Sequence, residues 1–73
     1  MPHKIRLDTF TEAQEFAAIA STVNGSVIIT DGKGLRVNGK SVLGVLHALE
    51  FTELYCETDG ELNYRLQKFV VNE

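Results

Sequence analysis

The stretch GLRVNGKS, Gly34–Ser41, carries the spacing G-x-x-x-x-G-K-S. That spacing is the Walker A pattern of nucleotide-binding P-loops, where glycine-rich backbone wraps the phosphates and the Lys reaches them. A P-loop joins a buried parallel strand to a long helix, so the reading of this stretch decides the fold. The four middle residues are Leu35, Arg36, Val37 and Asn38. They alternate apolar and polar, the pattern of a half-buried strand. An extended strand cannot curl its amides around a phosphate. A chain of 73 residues is also too short for a parallel sheet covered on both faces. The stretch therefore reads as a strand, a glycine break at Gly39 and the start of a helix, with no nucleotide cofactor.

Working outward, Lys40–Leu49 (KSVLGVLHAL) is a short apolar helix, with Ser41 as its N-cap or first-turn residue. Before the opening stretch, Ser26–Thr30 (SVIIT) is a β-branched run suited to a central strand. Asp31–Gly34 (DGKG) is a turn, so Ser26–Thr30 and Leu35–Asn38 form a hairpin. Upstream, His3–Leu7 alternates as a short strand with Ile5 and Leu7 on one side. A helix follows from about Phe10–Glu12. Thr9 with Glu12, and Thr11 with Gln14, fit a capping box. Its stripe is Ala13, Phe16, Ala17, Ala20 and Val23, and Asn24-Gly25 ends it. Downstream, Glu53–Thr58 is a fourth strand and Asp59-Gly60 a turn. A last helix is expected from about Glu61 to Val71, with Leu62, Leu66, Phe69 and Val70 inward and Arg65 and Lys68 outside.

The order β-α-β-β-α-β-α predicts an α+β two-layer sandwich: one four-stranded, mainly antiparallel sheet with helices on one face, in a single domain spanning 1–73. A domain of this size buries only about 60% of its unfolded surface, so it needs a compact fold. Hydrophobic content of 44% and charged content of 23% fit an ordinary globular protein. The net charge of −3, with both signs interspersed, argues against nucleic acid as a partner. No apolar run is long enough to span a bilayer, and MPHKIRLD carries no apolar signal segment, so a cytoplasmic location without membrane association is expected. The single cysteine, Cys56, lies in a strand pattern and reads as a small core hydrophobe. Glu57, Asp59 and Glu61 surround one turn and Asp31 sits in another. They read as solvated charges, since no calcium-loop or zinc spacing is present and no metal is expected.

The segment VNGKSVLGVLHAL, Val37–Leu49, resembles the second-helix region of HPr, the phosphocarrier of the bacterial phosphoenolpyruvate:sugar phosphotransferase system. In that family a Lys-Ser pair opens a short helix, followed by an apolar-apolar-Gly-apolar-apolar run. Here these are Lys40, Ser41, Val42, Leu43, Gly44, Val45 and Leu46. The β-α-β-β-α-β-α order also matches the HPr fold. The resemblance implies that Ser41 is a site of phosphorylation by an ATP-dependent HPr kinase/phosphorylase. It also implies that Val42, Leu43, Leu46 and His47 form a docking patch for phosphotransferase-system components or regulators. Read from the residues alone, Ser41 is a helix cap, and a helix so short and apolar does not bury every face.

The same resemblance exposes a departure. HPr places its phosphoryl-acceptor His between the first strand and first helix, in a Gly-Leu-His-Ala-Arg-Pro-type segment. This chain has LDTFTEAQ, Leu7–Gln14, with no His, Arg or Pro. The acceptor position falls near Thr9 and the Arg position near Thr11. A threonine hydroxyl is a poor acceptor near neutral pH without a base, and Asp8 and Glu12 repel an anionic donor. His3 and His47 lie elsewhere in the sequence. The expectation is a non-enzymatic, HPr-like protein-binding or regulatory domain that has lost the acceptor histidine. Its alternatives are a phosphocarrier with a relocated histidine, and a structural or small-molecule-sensing domain of the same fold, in which a homodimer would cover the second-helix patch.

Overall fold

A computed structural model describes residues 2–72. Four strands, β1 (His3–Ile5), β2 (Val27–Thr30), β3 (Arg36–Asn38) and β4 (Leu54–Thr58), form one sheet in the order β1-β4-β2-β3. Every neighbouring pair is antiparallel. Helix α1 (Phe10–Ala20) follows β1, helix α2 (Val42–Ala48) follows β3, and a 3-10 helix (Tyr64–Phe69) follows β4. The chain is thus a small α+β domain with an open antiparallel sheet. Among the described residues, no helix is long and apolar enough to cross a membrane.

The strand alternation separates the two faces of the sheet. Val27 and Ile29 of β2, Leu54 and Cys56 of β4, and Ile5 of β1 are buried with the helices. Between them, Ile28, Tyr55 and Glu57 are only half-buried, on the opposite face. There Arg36 pairs with Glu57 at 2.9 Å, and the Tyr55 hydroxyl donates to Glu53 at 2.7 Å. The core is closed by Ala13, Phe16, Ala17 and Ala20 of α1 and by Val45 and Ala48 of α2. Phe16 is fully buried and meets Phe69 edge-on at 5.3 Å between ring centroids. Cys56 lies in this core, and burial, aided by the neighbouring Glu57 charge, pushes its thiol up to about 11. It is therefore a neutral hydrophobe, as its strand position suggests.

The expected β2–β3 hairpin forms, with Ile29 opposite Val37. Its turn is built by Asp31, whose carboxylate accepts the Lys33 N–H at 2.7 Å and the Leu35 N–H at 3.0 Å. At the far end of α1, the stripe was expected to continue to Val23, but the helix stops at Ala20. The Ser21 and Thr22 hydroxyls donate to the Ala18 and Ile19 carbonyls, and the last amides switch to tighter i−3 bonds. The first strand also ends early, at Ile5 rather than Leu7, although Leu7 stays buried.

The largest correction concerns the last helix. Glu61–Val71 does not form one. The Asn63 side chain accepts the Arg65 N–H at 2.9 Å and starts only the 3-10 helix, which ends at Phe69. Val70 then turns extended and bridges Ile5, and the Val71 N–H donates to the Lys4 carbonyl at 2.9 Å. Two factors favour this outcome. Consecutive valines prefer extended backbone, and the free edge of β1 offers partners that a helix would leave unused. Leu62 is buried outside the helix, Leu66 and Phe69 are buried within it, and Val70 is half-buried against β1.

Asp59 ties the α1–β2 loop to the turn after β4. Its carboxylate accepts the Ser26 N–H and the Ser26 hydroxyl, both at 2.8 Å. The Ser26 backbone bond, then the hydroxyl bond, holds the Asp59 pKa below the ordinary aspartate value. A depressed folded-state pKa contributes stability above the unfolded value, and that contribution is lost as pH falls through the folded value. Urea unfolding of wild type and Asp59→Asn as a function of pH tests this. The stability difference should stay constant above about pH 5 and shrink on acidification below about pH 4. Parallel curves throughout would show that the clamp contributes nothing.

Candidate functional site

The residues of the opening stretch each have a structural task. Arg36, Val37 and Asn38 form β3 and pair with β2. Gly39 follows, buried, with its N–H donating to the Val27 carbonyl at 2.7 Å. A Cβ at Gly39 would stand 2.8 Å from Val27 Cγ1, 3.0 Å from the Val27 carbonyl oxygen and 3.2 Å from the Phe16 ring. Lys40 reaches back to the end of α1 and donates from Nζ to the Val23 carbonyl at 2.7 Å. A lysine near a helix C-terminus often satisfies such a loose carbonyl. Ser41 is the N-cap of α2, its hydroxyl accepting the Gly44 N–H at 3.2 Å. The Gly-Lys-Ser of the Walker-like string thus packs, ties and caps.

Gly44 permits a second close approach. A Cβ there would lie 2.8 Å from the Asn38 carbonyl oxygen. The glycine lets the first turn of α2 sit down on the end of β3. This contact and the burial of Val45 and Ala48 fix which face of the helix points outward. The four residues that the resemblance assigns to a docking patch differ in exposure. Val42 is 40% exposed and Leu43 79% exposed. Leu46 is half-buried against the core and His47 is exposed. Val42 with Leu46, and Leu43 with His47, are i,i+4 neighbours, so the four share one face of the helix. The His47 ring packs edge-on against Phe51 at 5.9 Å.

Thr9 and Thr11 lie at the other end of the helical layer. Thr9 is the N-cap of α1, and its hydroxyl accepts the Glu12 N–H at 3.1 Å. Glu12 in turn accepts the Asp8 N–H at 2.8 Å. Thr11 is exposed in the first turn. The Lys40–Val23 bond ties the residue before Ser41 to the segment just after α1, whereas Thr9 caps the opposite end of that helix. His3 is half-buried on β1 opposite Cys56. Neither histidine stands at the start of α1.

Two hollows escaped the sequence reading, because each is made by segments remote in sequence. One, of about 360 Å³, lies where the β1–α1 connection meets the α2–β4 loop, with Arg6, Leu7, Asp8, Leu49 and Phe51 among its walls. The other, of about 240 Å³, lies on the open sheet face around Thr30, Asp31, Lys33, Tyr55 and Glu57. Among the described residues, no three His, Cys, Asp or Glu side chains converge as a metal-binding group. No protein-family model matches this chain, and no curated protein or solved structure matches it.

The α2 geometry predicts opposite responses from adjacent residues. Ser41→Ala should lower unfolding stability by about 1 kcal/mol, the usual loss for an N-cap. Leu43→Ala should stay within about 0.5 kcal/mol of wild type, as for an exposed site. Urea denaturation of both variants checks this, and a Leu43→Ala loss as large as the cap loss would mean that Leu43 is packed.

Proposed function

We propose that this chain is an HPr-like domain that works by binding proteins, in a regulatory role connected with sugar phosphotransfer, and not as a phosphocarrier. The face of α2 formed by Val42, Leu43, Leu46 and His47 is its docking surface, and Ser41 is its phosphorylation point. The observation that carries this reading is the exposure of Val42 and Leu43 directly after a half-exposed Ser41. Leu43, and in part Val42, are turned to solvent on a seven-residue helix, and clustered exposed apolar residues commonly mark contact sites. The run of strands and helices through β4 also agrees with the HPr order. Against a carrier role stands the start of α1. The position corresponding to the acceptor holds Thr9, committed to a capping bond, with the Glu12 carboxylate beside it. A negative charge there disfavours an incoming phosphoryl group.

Intact-mass measurement after incubation with ATP and a bifunctional HPr kinase tests the reading. Wild type should gain one phosphoryl group, Ser41→Ala none, and Leu43→Glu should be labelled more slowly through weakened docking. Enzyme I with phosphoenolpyruvate should leave the protein unlabelled. Failure of the kinase to label wild type, beside an HPr that it does label, would overturn the regulatory reading. Histidine labelling by enzyme I that disappears in His47→Ala or His3→Ala would establish the relocated carrier instead.

A further inference from the structure

The tripeptide Val-Asn-Gly occurs twice, at Val23–Gly25 and Val37–Gly39. An Asn followed by Gly is the pair most prone to spontaneous deamidation, because no Cβ shields the following main-chain nitrogen. The reaction needs that nitrogen to reach the Asn side-chain carbon. Local backbone freedom and a disengaged N–H therefore decide whether it proceeds. The two copies share their local sequence but not their surroundings, so the fold itself separates their chemistry.

At the second copy, both reacting groups are held. Asn38 lies in β3 opposite Ile28, and its side-chain oxygen accepts the Lys40 N–H at 2.9 Å. The Gly39 N–H, whose nitrogen would have to attack, is buried and bonded to the Val27 carbonyl at 2.7 Å. At the first copy, neither is held. Asn24 and Gly25 are exposed, in the loop between α1 and β2. Neither the Asn24 side chain nor the Gly25 N–H bonds to a described residue. The regular bonds resume only at Ser26, on Asp59.

We infer that Asn24 is a built-in site of spontaneous modification, converting to aspartate and isoaspartate in the native protein while Asn38 is protected. The Gly25 nitrogen loses its proton and attacks the Asn24 side-chain carbonyl carbon, forming a C–N bond. The bond from that carbon to the amide nitrogen breaks, and ammonia leaves. Water then opens the succinimide at either carbonyl, giving Asp or isoAsp. No oxidant or enzyme is required.

The fold keeps the hazard in place. Gly25 has φ +84°, and a Cβ there would lie 2.7 Å from the Asp59 carboxylate that caps Ser26. A shielding side chain after Asn24 would be strained on both counts. The product adds a negative charge one residue after the carbonyl that holds Lys40 Nζ. The isoaspartyl form also inserts a methylene into the main chain beside the Asp59 clamp. Modification at Asn24 thus acts on the two ties that join this loop to α2 and to the turn after β4.

The test is peptide mapping by mass spectrometry of the full chain, incubated native in mildly alkaline buffer, with isoaspartyl methyltransferase labelling to identify the β-linked product. A parallel sample in concentrated urea reports the intrinsic reactivity of the two tripeptides. In urea both sites should convert at similar rates. In the native chain Asn24 should convert roughly tenfold or more faster than Asn38, because Asn38 reacts only after its bonds open. Asn24→Ser should abolish the acidic species seen on isoelectric focusing. Equal native rates at the two sites, or an unreacted native Asn24 when the urea sample converts, would overturn the inference.

Discussion

A side chain at Gly39 would need space that Val27 and Phe16 already fill. This lack of room is the constraint on which the rest of the domain depends. The Gly39 N–H closes the last bond between β3 and β2, and its missing Cβ lets the β3–α2 junction lie against α1. The chain leaves the sheet there and enters α2 within two residues. Lys40 and Ser41 come next: one satisfies the Val23 carbonyl just past α1 and the other caps α2. Gly44 repeats the device at the next turn, against Asn38. Overpacking such a junction usually costs about 1–3 kcal/mol, a large share of the stability of so small a domain.

The same constraint sets what the surface offers. With α2 pressed onto β3 through Gly44 and into the core through Val45 and Ala48, rotation of the helix is fixed. Val42 and Leu43 must then face solvent. The apolar surface beside Ser41 is thus a consequence of how tightly the junction is packed, and it is the feature on which the protein-binding proposal rests.

Most of the fold was legible because its signals are local. The alternation in Leu35–Asn38, the Asp31–Gly34 turn and the Ala13–Phe16–Ala17–Ala20 stripe each point to one element, and each element formed, although β3 begins only at Arg36 and leaves Leu35 outside it and exposed. The last helix was not legible. Leu62, Leu66 and Phe69 are spaced as for a helix, yet Val70 and Val71 are drawn to the open edge of β1, some 65 residues earlier in the chain. A competing tertiary partner of that kind leaves no mark in the local pattern. The early end of α1 at Ala20 was missed because side-chain hydroxyls of Ser21 and Thr22 compete for the helix carbonyls. Of the candidate site, the length and composition of α2 showed only that so short and apolar a helix would leave some face unburied, not which one. The reason for Gly39 and Gly44 was not, since it lies in atoms of β2, α1 and β3. The Lys40–Val23 tie beside Ser41 likewise emerges only from packing.

Native-state hydrogen exchange across Gly34–Ser41 tests the central claim most directly. If Gly39 is the packed junction between β3, β2 and α1, its amide should exchange among the slowest in the chain, opening only with global unfolding, while Gly34 in the exposed turn exchanges fast. Equal, unprotected exchange at Gly34 and Gly39 would describe an open glycine loop and would contradict the account.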